Sequence, residues 1–315
     1  MNRMYTSIAV LAAAAALLAA PGLSAENSVT VRDAQAASAS DDYITKDYDF
    51  KGFTKLDIGG RFDVIFTKSS TYKIRLTIPA EGENLISVRI EGGTLKIGWN
   101  RNFTARLQKK LSDMKFTAEI SMPELRSLEL GGASTFESSD KLNPSGGEFS
   151  LDISGASKVK SLKLSARELD AEVSGAAFCD LSGKFEKVEL EVSGAGGGNF
   201  DIDAEYLEAD ISGAAKVDID GRFGNVSADI SGASGATFTG SAERLSADVS
   251  GASKLSAKGL EAKDVTVEAS GASKCTVYAT RSLTVEGASG TSSVRYKAPE
   301  NVNPTIRTSS VQRID

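Results

Sequence analysis

Eight carboxylates recur at one position of a repeat: Glu129, Asp152, Glu172, Glu191, Asp210, Asp229, Asp248 and Glu268, each three residues before a glycine. Asp170, Glu189 and Glu208 stand two residues earlier in three successive copies. Carboxylates in numbers do two kinds of chemistry. A pair with separated pKa values serves as general acid and base on a glycosidic bond. Oxygens gathered in a shaped loop hold a hard cation such as calcium. The first use needs one copy set apart from its neighbours, and nothing in this column breaks its uniformity. The second needs about six oxygens around one point, and the Gly-Gly-x-Gly-x-Asp nonapeptide of calcium-binding solenoids is missing. A third use is structural, an exposed acidic ladder that keeps a long sheet soluble and stops sheets from stacking side by side. At about 4.8 Å spacing, neighbours in such a ladder repel by roughly 0.9 kcal/mol in bulk water, less in salt.

A second cluster combines Trp99, Arg101, Phe103 and Arg106 with Lys109 and Lys110 in the segment GWNRNFTARLQKKLSDMKF. Aromatic and basic side chains on one excursion suit a sugar or an anionic polymer; equally, Trp99 and Phe103 suit a lid over an open end of the core. Histidine is absent altogether. This removes Ser-His-Asp and Cys-His triads and every His-containing metal motif. No residue is assigned a catalytic, cofactor-binding or metal-ligating role, and no cofactor is expected.

The elements that carry these side chains follow from the repeat. With the glycine of each Gly-Ala corner as origin, the corners are Gly132, Gly155, Gly175, Gly194, Gly213, Gly232, Gly251, Gly271 and Gly287, at intervals of 23, 20, 19, 19, 19, 19, 20 and 16 residues. Aliphatic or small residues fill the positions two and four before each glycine, such as Val192 and Leu190 or Ile211 and Ala209. After the corner a second alternation begins four and six residues on, as in Cys179 and Leu181 or Val217 and Ile219. Period two on both sides predicts strands with one buried face each. Glycines eight after the corner (Gly183, Gly221, Gly240, Gly259) predict a turn into the next unit.

A single coil of this length buries too little to stand alone, so coils must stack and share their core. Equivalent residues then form columns about 4.8 Å apart, and the fold class is all-β, a single-stranded parallel β-helix or solenoid with coils of about 19 to 20 residues. LDIGGRFDVIF carries the same alternation about Gly60, with Leu56, Ile58, Val64 and Phe66 facing inward. VRIEGGTLKIG and FTAEISMPELRSLELGGAS continue the strands less regularly. The β-helix domain is accordingly placed at 43–315: irregular N-terminal coils and cap at 43–125, regular coils at 126–295, and a C-terminal cap at 296–315, where Pro299 and Pro304 break the repeat. Outward lysines three after the corner (Lys158, Lys216, Lys254, Lys274) read as solvated. Cys179 and Cys275 share the column four after the corner but lie five coils apart, about 24 Å. A disulfide needs Cα atoms within about 7 Å, so both are expected as buried, unbridged small hydrophobes.

Residues 1–25, with Arg3 ahead of an apolar run and a Pro-Gly break, have the form of a cleaved export signal. The apolar run is short for a membrane span, which takes about 20 residues, and no other segment approaches that length. Neither cysteine stands at the cleavage site, so a lipid anchor is not expected. Residues 26–42, rich in Ala, Ser and Asp, read as a flexible leader. Removing Arg3 with the signal takes the formal charge from −6 to −7. That acidic balance argues against nucleic acid as a partner.

Taken together, the FTKLDIGGRFDVIF opening, the MPEL strand running into LELGGAS and the serial SGAS and SGAA coils resemble the head GIN domain family, described as autotransporter adhesin heads. The resemblance spans roughly residues 45–310. It implies a right-handed β-helix and an exported envelope protein of Bacteroidetes type; it brings no catalytic residues. A membrane barrel, which takes a series of ten-residue amphipathic strands, is not expected of this sequence. The expected role is a non-enzymatic structural or adhesin-like binding module in the periplasm, at the outer surface or secreted, with a glycan or an envelope or host surface protein as partner. A polysaccharide lyase or hydrolase on the same scaffold, and a weak divalent-cation solenoid, are the alternatives.

Overall fold

The computed structural model describes residues 31–32, 42–100, 104 and 109–314. The export signal and most of the leader lie outside the described residues, as do Arg101, Phe103 and Arg106. The protein is a parallel β-solenoid of about 10 turns, nearly all strand.

Six strands form the regular part: Phe178–Val192, Gly197–Ile211, Lys216–Ile230, Gly235–Val249, Lys254–Ala269 and Lys274–Ala288. Each pairs in parallel with the next. Two consecutive residues joining each strand to the next sit in a tight turn at the Ser-Gly-Ala corner. There Gly213 has φ +76°, and a Cβ on it would lie 2.5 Å from the Gly194 carbonyl oxygen of the coil before. Only glycine meets both demands. The following amide closes the stack, Ala214 donating to Gly194 O at 2.7 Å. In later coils a buried serine completes the corner: the Ser234 hydroxyl donates to Ser231 O (2.7 Å) and to Ile211 O of the preceding coil (3.3 Å).

Two details differ from the sequence reading. The glycines eight after the corner do not end a strand. Pairing runs through Gly221 and Gly240, which face each other in adjacent coils. They mark a bend within one strand, because each residue keeps its partners in the coils above and below while the chain changes direction. A Cβ at Gly221 would come within 1.8 Å of Ile202 O, so the bend brings backbones too close for a side chain. Alternation slips at Gly240–Ser241 and again at Glu243–Arg244, where consecutive residues are exposed. The final corner is Gly290, with φ +72° and stacked on Gly271; Gly287 instead lies in a strand opposite Glu268. Glu286 is the extra residue of a bulge. The Gly287-Ala288-Ser289 run imitates the corner motif, but Ser289-Gly290-Thr291-Ser292 occupies it.

Inside, the columns alternate in size. Gly198 lies beside Phe200, whose ring would be 2.7 Å from any Cβ there, and Ile219 stacks between Phe200 and Phe238. Cys179 and Cys275 are buried and unbridged in one column, as their spacing predicts. Burial pushes the Cys275 thiol up to about 12 and that of Cys179 higher still.

At the N-terminal end, order in space departs from order in sequence. Lys55–Ile58 pairs in parallel with Thr94–Trp99 on one side and Ser127–Leu130 on the other. Phe62–Lys68 likewise lies between Phe116–Met122 and Thr135–Leu142. The first coil made is therefore the second in the stack. Antiparallel pairs cover the outer one: Lys73–Pro79 on Phe116–Met122, Tyr43–Tyr48 on Lys73–Pro79, and Val31–Arg32 on Tyr43–Tyr48. Ile86–Glu91 folds back on Thr94–Trp99 through Gly92-Gly93, both at positive φ, the two-residue loop that suits a hairpin. At the other end Ser293–Lys297, Thr305–Ile306 and Val311–Arg313 continue parallel pairing in short pieces.

Candidate binding surface

The strand register turns the acidic positions into one column. Glu129, Asp152, Glu172, Glu191, Asp210, Asp229, Asp248 and Glu268 face each other in successive coils. Asp57 adds a ninth ahead of Glu129. It stands three before Gly60, the same offset as the rest, so the sequence held the signal for it. Basic residues close both ends. Lys96 Nζ is 3.1 Å from Asp57, and Arg307 Nη1 is 3.9 Å from Glu286 in the bulge past Glu268. Among the described residues, none of the eight from Glu129 to Glu268 has an ion-pair partner. The strain of proximity shows in two of them. The Glu172 carboxyl is held above its ordinary value, first by Asp152, then by partial desolvation, Glu191 and Asp170. Glu129 is raised mainly by desolvation, with Asp57 and Asp152 adding to it. Among the described residues no group of three or more Cys, Asp or Glu side chains is gathered so as to hold a metal ion.

Asp170, Glu189 and Glu208 form a second column on the same face, joined in register. They line something the sequence did not reveal. A groove runs along the stack between this column and the one two residues earlier, where Glu168, Lys187, Tyr206, Asn225, Arg244 and Asp264 stand in order. One cavity of ≈ 420 Å³ includes Lys187, Tyr206, Glu208, Asn225 and Arg244 in its lining. A second, ≈ 560 Å³, lies against Arg126, Glu148, Glu168, Asp170 and Glu189. Lys187 is engaged by carboxylates, bonded to Glu189 and 3.9 Å from Glu168. Asp264 is bound by Arg281 and by the Ser282 hydroxyl (2.7 Å), which together hold its carboxyl at about 2. Arg244 donates instead to Asn225 Oδ1 at 3.0 Å. Tyr206 is 54 % exposed.

The aromatic and basic excursion divides differently. Trp99 is half-buried at the N-terminal end of the core, 5.1 Å from Phe116 in an edge-on pair and 6.2 Å from Phe62. For Trp99 alone this is packing against the core. Arg101, Phe103 and Arg106 lie outside the described residues. Lys110 reaches Glu81 at 2.7 Å, and Leu111, unremarked in the sequence, is buried. The lysines three after the corner are exposed on another face, Lys158 over the Phe178 ring at 5.1 Å. Among the described residues no helix is long and apolar enough to cross a membrane.

Among curated proteins none matches. A crystal structure of a "putative adhesin" from Bacteroides fragilis superposes with a TM-score of 0.50 at 18% identity, covering 87% of this chain and 98% of that one. A "putative lipid binding protein" from Parabacteroides distasonis gives 0.48 at 14%, covering 87% and 98%, and a "putative adhesin" from the same species 0.46 at 16%, covering 86% and 97%. At 18% identity the first likeness concerns the fold alone, and no argument is drawn from the other two. The family described as "Putative auto-transporter adhesin, head GIN domain" matches residues 52–219 and 196–299. The repeats, the opening around Gly60 and the stacked corners are thus those of a head GIN domain, and the chain belongs to that family.

Proposed function

We propose that this protein is a non-enzymatic, exported binding module of adhesin type, working at the cell envelope or surface through the long faces of its solenoid. The observation that carries the reading is the uniform register of the acidic column: a carboxylate recurs at the same place coil after coil, so a ligand meets a surface, and among the described residues no single pair of column carboxylates is set apart for catalysis. The two raised carboxyls fit this view, since their causes are burial and their own column neighbours. The groove supplies concave surface with convergent polar groups, the usual form of a ligand site. The family description and the export-type segment at residues 1–25 support placement outside the cytoplasm. The test is fractionation of expressing cells with protease shaving, paired with a binding screen against glycans and extracellular-matrix proteins. Exposure on intact cells together with a saturable ligand is the expected result. A strictly periplasmic protein with no surface ligand would overturn the adhesin role.

A further inference from the structure

We propose that the groove is a lengthwise site for a neutral, linear glycan, an inference that rests on the binding-module reading above. The first cavity carries the site: Lys187, Tyr206, Asn225, Arg244 and Asp264 stand along one wall, and it adjoins the second cavity at Lys187, whose carboxylate partners Glu189 and Glu168 line that one. From Lys187 to Asp264 the first cavity's wall crosses four coil steps of about 4.8 Å, about 19 Å in all. A site drawn out along the coil axis, with a polar side chain in its wall at every step, fits an elongated ligand better than a compact molecule.

The chemistry narrows the class. Tyr206 is one of few large apolar side chains left exposed among the described residues, and it stands in the wall of the groove. Its ring offers the flat surface on which the C–H face of a pyranose stacks, with a polar tip for the hydroxyl rim. Ser227, Ser246 and Thr266 set one hydroxyl per coil along the inner column beside it. Arg244, beside Asp264 and helping to lower its carboxyl, uses one of its five donors on Asn225 and keeps others for sugar oxygens. Charge then selects against acidic polymers. Asp210, Asp229 and Asp248 lie two residues along the same strands, and Glu208, Glu189 and Asp170 stand in the groove itself. A peptide adding as a strand needs unpaired backbone, and along this face every strand is paired on both sides.

The test is calorimetric titration of the mature full chain with linear oligomers of glucose, mannose and N-acetylglucosamine, two to six units long, and with polygalacturonate as the anionic probe. A neutral hexamer should bind, more tightly than its dimer, while polygalacturonate should not. Tyr206→Ala should weaken binding at least tenfold, and Ser246→Trp, which fills the groove, should abolish it. Lys158→Ala, on another face, should change nothing; circular dichroism confirms that each variant is folded. Failure of every neutral oligomer, preference for polygalacturonate, or binding untouched by Tyr206→Ala would overturn the glycan assignment. In those cases a protein ligand found in the screen leaves the module reading standing, whereas cleavage of a bound glycan would sink that reading itself.

Discussion

At the scale of single residues, the recurring Ser-Gly-Ala is an axial joint. Gly213 combines a left-handed backbone with a carbonyl 2.5 Å from where a Cβ would be. Gly213→Ala should therefore cost about 2 kcal/mol or more, the strain of a non-glycine residue there plus the displaced neighbour, measured by urea unfolding; an unchanged midpoint would contradict the joint. The two cysteines make the matching test of burial. With both thiols shifted well up by burial, neither should react with Ellman's reagent at pH 8 in the native protein, and both should react after unfolding. Individual residues were unevenly legible. Asp57 obeyed the column rule and was readable, and so was Gly290, at the regular 19-residue step from Gly271. Tyr206 was not. Its position in the sequence is one of ordinary alternation, and only the slip at a bend turns it outward beside a groove.

Among the elements, the acidic ladder sets how stability responds to pH and salt. Glu129 and Glu172 bind a proton more readily in the folded chain than in the unfolded one. Protonating them favours folding, so their unfavourable contribution at neutral pH is relieved as pH falls toward their raised pKa values. Glu124 and Asp264 act in the opposite sense. Arg126 and Ser145 hold Glu124 at about 2, and Arg281 and Ser282 do the same for Asp264. The stability these two supply is complete above the ordinary carboxyl values of 4.5 and 3.8 and disappears as pH drops toward 2. The melting temperature should accordingly rise on mild acidification from pH 7.5 toward 5, then fall steeply. Glu172→Gln should stabilise by about 0.5 kcal/mol at low salt, the scale of a cross-strand charge pair, and the gain should shrink as sodium chloride is added. A flat profile would mean the column repulsion is already neutralised. Element types were well encoded in the regular coils, where period two is unbroken. The cap was harder, because antiparallel and parallel strands share that period. Gly92-Gly93 carried a hairpin signal, yet the return of Thr94–Trp99 and Phe116–Met122 to the outside of the first coil depends on long-range pairing that no local pattern records.

For the whole molecule, about 10 stacked turns at about 4.8 Å per turn make a stack close to 48 Å long. Stability and function both follow from its one-dimensional order. Each coil is held by its neighbours, and each polar column is long because the register is kept. The architecture was written in the repeat and in the family resemblance. The groove was not, since it depends on where a bent strand leaves space between two outward columns. A polysaccharide-cleaving site on the same scaffold is the rival to a surface for holding. The most direct measurement is to incubate the mature protein with immobilised neutral and uronate-containing polysaccharides and to record retention and released products in the same samples. The prediction is retention on a neutral polymer with no new reducing ends or unsaturated sugars over many hours. Steady product release, abolished by neutralising one carboxylate but not its column neighbours, would contradict it.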